Sequence, residues 1–83
     1  MENLEQILDA VIVLGLGKVR FEARKQNDTP NTVRAVFCFV AKGKGEITVE
    51  RIYSQAHIIQ TAPDTLKRFL EQDLEPIYNK FNA

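Results

Sequence analysis

Side chains that ionise, attack or ligate are sparse in this 83-residue chain. His57 is its single histidine and Cys38 its single cysteine. A zinc site built from nitrogen and sulfur donors needs about four ligands, which one copy of this chain does not supply. As a general base, His57 has no nucleophile beside it in the sequence to activate. Cys38 lies between Val36 and Val40 in an apolar run, the setting of a packed, inert thiol rather than a thiolate.

Two glycine-containing segments invite a phosphate-loop interpretation. Gly15-Leu16-Gly17-Lys18 has Arg20 where the dinucleotide fingerprint needs its third glycine. The Walker pattern also fails, because Val19 rather than Ser or Thr follows Lys18. Lys42-Gly43-Lys44-Gly45 has backbone amides that could cradle an anion, but its composition is that of a solvated hairpin turn. Glu71, Asp73 and Glu75 spread around a helix instead of converging. The expectation is a protein that is not an enzyme and holds neither cofactor nor metal.

The chemistry that remains belongs to a surface, and strands must position it. From Lys18 the pattern has period two: Val19, Phe21 and Ala23 alternate with Lys18, Arg20, Glu22 and Arg24. A turn cluster follows at Asn27-Asp28-Thr29-Pro30-Asn31. Thr32 to Lys42 is apolar on both parities, as a central strand is. After the Lys42–Gly45 turn, Glu46 to Ser54 gives a third strand with Ile47 and Val49 inward. Strict alternation then puts Arg51 and Tyr53 inward and Ile52 outward, whereas a bulge near Glu50 would swap them. Ala56 to Ile59 extends this strand or forms a short extra segment. Short turns between neighbouring strands imply an antiparallel meander.

Helices flank the sheet in this scheme. Leu4, Ile7, Leu8, Val11 and Ile12 fall at helical spacing between Asn3 and Leu16, with Asn3 as cap and Gly15 and Gly17 as stop. The β-branched run Val11-Ile12-Val13 is the weak point of that helix, since it could begin a strand. At the far end, Thr61-Ala62-Pro63-Asp64 resembles a capping box. Leu66, Phe69, Leu70, Leu74, Ile77, Tyr78 and Phe81 then form one stripe. Pro76 should kink this helix or restart it. The expected fold is a single small α+β domain over residues 1–83, in the order α-β-β-β-α, with a three-stranded antiparallel meander against two helices.

Charge is unevenly spread although the formal net charge is zero. Glu2, Glu5 and Asp9 make the first 16 residues acidic (0 − 3 = −3). Residues 17–55 carry eight bases and four acids (8 − 4 = +4), and the remainder three bases and four acids (3 − 4 = −1). With both helices on the Phe21, Phe37, Phe39 and Val49 face, the opposite face would present Arg20, Arg24, Arg34 and Lys42 around Val36, Cys38, Val40 and Ile52. An apolar strip left wet costs roughly 25 cal/mol per Å², and such strips mark interfaces. One helix on each face would instead bury it.

The expected function is therefore a non-enzymatic interaction module or small accessory subunit. It would associate with a protein partner or as a homodimer, through the open face or an edge strand. Nucleic-acid binding by the basic rim is the alternative. The α-β-β-β-α order is shared with double-stranded-RNA-binding domains. Their lysine cluster at the start of the last helix is replaced here by Ala62-Pro63-Asp64, with only Lys67 and Arg68 nearby. No apolar stretch reaches the roughly 20 residues that span a bilayer. The acidic residues ahead of Ala10–Leu16 are wrong for an export signal, so a cytoplasmic location with no membrane partner is expected. The lone cysteine agrees with that compartment.

Overall fold

The computed structural model describes residue 8, residues 10–23 and residues 26–83. Four strands form one sheet: β1 (Val11–Val13), β2 (Lys18–Glu22), β3 (Thr32–Ala41) and β4 (Gly45–Ser54). They lie in sequence order, and every neighbouring pair is antiparallel. Two helices follow, α1 (Gln55–Gln60) and α2 (Pro63–Asn82). The α+β class and the meander agree with the sequence pattern, but the sheet has a fourth strand.

That strand corrects the later part of the expected first helix. Val11-Ile12-Val13 is the edge strand β1, with Ile12 opposite Val19. β-branched side chains fit a pleated surface better than a helix, where they lose χ1 freedom. The glycines expected to stop a helix instead turn a hairpin, which the Leu14 amide closes by donating to the Gly17 carbonyl at 2.7 Å. Gly17 is needed for close approach: a Cβ there would stand 2.4 Å from the Cys38 carbonyl oxygen of β3. The remainder of the expected helix, Asn3 to Ile7 and Asp9, lies outside the described residues. Among the described residues the order is thus four strands followed by two helices, with β1 added before the expected three strands and α1 added before the expected last helix.

β3 and β4 form a hairpin of ten residues each, paired from Thr32↔Ser54 to Ala41↔Gly45. Gly43 and Gly45 have φ of 75° and 80°, values that L side chains seldom adopt, so this turn requires glycine. Alternation in β4 continues without a bulge. Tyr53 is buried on the inward face and Ile52 points out.

α1 resolves the ambiguity after Ser54. Ser54 caps it by accepting from the His57 amide, and Ile58 is fully buried. Thr61 does not cap the next helix as a capping box would. Its hydroxyl donates to the His57 carbonyl and finishes α1, so Ala62 is the N-cap of α2 without a side-chain bond and Pro63 opens the first turn. α2 runs unbroken through Pro76. Pro76 and Gln72, whose carbonyl loses its donor, are both exposed, so water can meet that carbonyl.

Both helices lie on one face of the sheet. Val19, Phe21, Val33, Ala35, Phe37 and Phe39 of the strands form one core with Ile58, Leu66, Leu70 and Leu74 of the helices. Phe37 and Phe39 stack at 4.7 Å, and Tyr78 and Phe81 of α2 tilt onto Phe39 at 5.6 and 5.8 Å. The alternative of one helix on each face is not what the described residues form.

Candidate interaction face

The opposite, outward face is a grid fixed by the register. Val36 of β3 pairs with Arg20 of β2 and Glu50 of β4. Cys38 pairs with Lys18 and Thr48, and Arg34 with Glu22 and Ile52. Val40 pairs with Glu46. On the outer side of β2, Val11 and Val13 of β1 pair with Arg20 and Lys18. The face therefore has an apolar line along β3, two bases on β2, two acids on β4 and two valines on β1.

Four large apolar side chains of the sheet are well exposed: Val11 at 55%, Val13 at 60%, Val40 at 68% and Ile52 at 47%. All four point outward. Val36 and Cys38 between them are half-buried, and the Thr48 hydroxyl donates to Cys38 Sγ at 3.9 Å. Of the residues expected on this face, Arg20, Val36, Cys38, Val40 and Ile52 are brought together there. Arg24 lies outside the described residues. Lys42 belongs to the hairpin tip, where its backbone amide donates to Asn82 Oδ1 at 2.7 Å and ties the tip to the end of α2.

Arg34 departs most from expectation. It is outward by parity yet only 3% exposed, so it is not part of a solvated basic rim. Its guanidinium is held by the Asp28 carboxylate, by the Ala23 carbonyl at 3.2 Å, by Glu22 at 3.9 Å and by Glu50 at 3.8 Å. A buried charge survives only when partners replace its lost hydration, and here three carboxylates do so. The turn carrying Asp28 is positioned by Asn31, whose φ of 64° is left-handed and whose carbonyl accepts from the Gln55 amide at 2.9 Å.

These pairings also remove the basic character expected of the face. Arg20 bonds to Glu22 at 2.6 Å. Arg51 points inward and meets Asp73 at 3.3 Å, and Lys44 turns toward α2, 5.6 Å from the Phe81 ring centroid. Lys18, Arg20 and Arg34 therefore face Glu22, Glu46 and Glu50 on the grid, with Asp28 added from the turn. With three bases against four acids (3 − 4 = −1) the face is not basic, and two of its acids, Glu46 and Glu50, lie on β4. Sequence reasoning missed Val11, Val13, Lys18, Glu46 and Glu50 as members. The alternation contained the last three, and the β-branched run contained the valines.

The inward side offers less chemistry. The Tyr53 hydroxyl donates to Asp73 Oδ2 at 2.6 Å. Burial first, then the Asp73 carboxylate, push its pKa well above the usual tyrosine value. His57 lies edge-on to Phe69 at 4.6 Å. A hollow of about 430 Å³ at one end of the outward face touches Leu16, Lys18, Cys38, Val40 and Glu46. Another of about 400 Å³ beside β1 touches Val13, Phe21, Ile58 and Leu66. The first brings Lys18 and Glu46 beside the Cys38 thiol, and the second is also lined by Thr61, Asp64 and Lys67. Among the described residues no three metal-ligating side chains converge, and no described helix is long and apolar enough to cross a membrane.

No family model matches the chain, and no curated protein or solved structure is significantly similar to it.

Proposed function

We propose that this protein is a non-enzymatic interaction module, a homodimer or small accessory subunit, that docks through the outward face of its sheet. The observation that carries the proposal is the cluster of Val11, Val13, Val40 and Ile52 left exposed around Val36 and Cys38 while both described helices cover the other face. Single exposed apolar residues are ordinary, but an apolar line along β3, with two more exposed valines on β1 across the Lys18 and Arg20 column of β2, is the form of a docking surface. The charge balance favours a protein partner over nucleic acid, because counterion release needs unpaired bases facing phosphate. Arg34 is enclosed by the carboxylates of Asp28, Glu22 and Glu50.

The test compares the protein with a Val13→Asp, Val40→Asp double variant. Both positions are exposed, so the variant should keep the native melting temperature within a few degrees. The native protein should run as an assembly larger than one chain, by light scattering when pure and by native sizing from cells. The variant should not. An assembly that survives both substitutions, or a native chain that is monomeric in both settings, would overturn the proposal. Oligonucleotide binding that persists at physiological salt with a steep salt slope would replace it with the nucleic-acid alternative.

A further inference from the structure

We propose that the occupant of the outward face is a second copy of this chain, stacked sheet on sheet about a two-fold axis that runs along β3. This rests on the docking role proposed above and names its partner and geometry.

The charge pattern selects the axis. β2 presents Lys18 and Arg20 with Glu22 beyond them, β4 presents Glu46 and Glu50 with Ile52 beyond them, and β3 between them presents Val36, Cys38 and Val40. A half-turn about an axis along β3, midway between two stacked sheets, exchanges the columns. It lays β2 of each copy over β4 of the other and the apolar line over itself. Because Arg20 and Glu50 share Val36 as register partner, they meet directly across the interface, twice per dimer, in addition to their partners in their own chain, Glu22 and Arg34. Lys18 and Thr48 share Cys38, so Lys18 settles over Thr48 of the second copy, flanked by that copy's Glu46 and Glu50. Isologous contact of this kind needs a patch that complements itself, and this grid does so in that orientation.

Other symmetric arrangements lack that match. An axis across the strands would lay β2 on β2 and β4 on β4, gathering the bases of both copies in one column and Glu46 and Glu50 of both in another. Pairing β4 edge to edge would place the Glu46 and Glu50 carboxylates of both copies alongside one another, which is unfavourable for like charges on neighbouring strands. Stacked sheets instead pack about 10 Å apart with strands near −30°, the usual aligned sandwich. The overlap covers β2, β3 and β4 of each copy and leaves β1, with Val11 and Val13, beyond the edge of the second copy's β4.

Three measurements on the full chain test this. Sedimentation over a concentration series should show a monomer–dimer equilibrium. A bis-maleimide spanning about 8 Å should join the two Cys38 thiols, since both point into a gap of about 10 Å. In an edge-to-edge dimer they would stand about 14 Å apart, at three strand spacings. The decisive measurement uses two single variants. Arg20→Glu and Glu50→Arg should each weaken the homodimer about tenfold by setting like charges across the axis. Mixed in equal amounts, they should form a heterodimer of near-native affinity, because each introduced charge then faces its opposite. Should Glu50→Arg disturb Arg34 and fail to fold, Lys18→Glu mixed with Glu46→Lys makes the same comparison at two exposed positions.

A dimer that is not joined at Cys38, or variants that do not rescue each other, would overturn the stacked geometry. The docking role would still stand if Val13→Asp with Val40→Asp abolished that dimer. A chain monomeric at its highest soluble concentration would overturn self-association. The docking role would then depend on whether the native assembly from cells is lost in the same double variant.

Discussion

The two faces of this sheet are made by the same strands from alternate residues, yet they are held by different forces. Inward, Val19, Ala35 and Phe37 reach full burial against α1 and α2 by apolar packing alone. Outward, Val36, Cys38 and Val40 occupy the intervening positions of β3 and stay partly or largely exposed. The deeply buried residue of the outward face is Arg34, enclosed by carboxylates rather than by hydrocarbon. Alternation therefore decides which side a residue takes. What covers that side decides whether it is core, ion-pair hub or interface.

The contrast can be broken at its strongest point first. Phe37→Ala removes a fully buried ring stacked on Phe39 and should cost about 4 kcal/mol in urea denaturation; a loss below about 1 kcal/mol would mean the inward face is not the core. Arg34→Ala leaves Asp28, Glu22 and Glu50 crowded around a lost cation, and about 3 kcal/mol is expected. If the outward face is merely a solvated surface, that substitution will be nearly silent. Gly17→Ala forces a methyl against the Cys38 carbonyl, and unfolding should become easier by about 2 kcal/mol.

Smaller effects sharpen the same comparison. Tyr53→Phe forfeits the bond to Asp73 at a cost of about 1 kcal/mol near neutral pH. Because the folded-state pKa of Tyr53 is raised, the hydroxyl's contribution is fully present below about pH 10, the unfolded value. Above that, the unfolded chain releases the proton while the folded chain keeps it, so stability falls as pH rises. Denaturation from pH 9 upward should show this decline in the native protein and less of it in Tyr53→Phe. Last comes Val40→Asp, which should shift the monomer's stability by no more than about 0.5 kcal/mol, measured where the chain is dilute. A large loss there would place Val40 in a core.

Much of the inward face was legible from the chain. Val19, Phe21, Phe37 and Phe39 share one parity, and Leu66, Leu70 and Leu74 repeat at helical spacing; each pattern follows from the geometry of its own element. The apolar line Val36, Cys38 and Val40 was legible for the same reason. Val11-Ile12-Val13 was misjudged because its neighbours Leu4, Ile7 and Leu8 also fit a helical stripe, and β-propensity gains force only when a strand such as β2 is there to pair. The basic rim was misjudged because counting Arg34 and Arg51 as surface charge ignores their partners. Asp28 is six residues from Arg34, and Asp73 is 22 from Arg51.

The sequence by itself determined the strand periodicity, the glycine turn at Lys42–Gly45, the central place of β3 and the apolar stripe of α2. These rest on the 2.0 and 3.6 residue repeats of the backbone and on dihedral limits within a few residues. Tertiary structure decided that Val11–Val13 is a strand, that both described helices share one face, and that Arg34 is buried. It also set acids on β4 opposite bases on β2. Those outcomes depend on hydrogen bonds, ion pairs and desolvation between residues distant along the chain, and no local repeat encodes them.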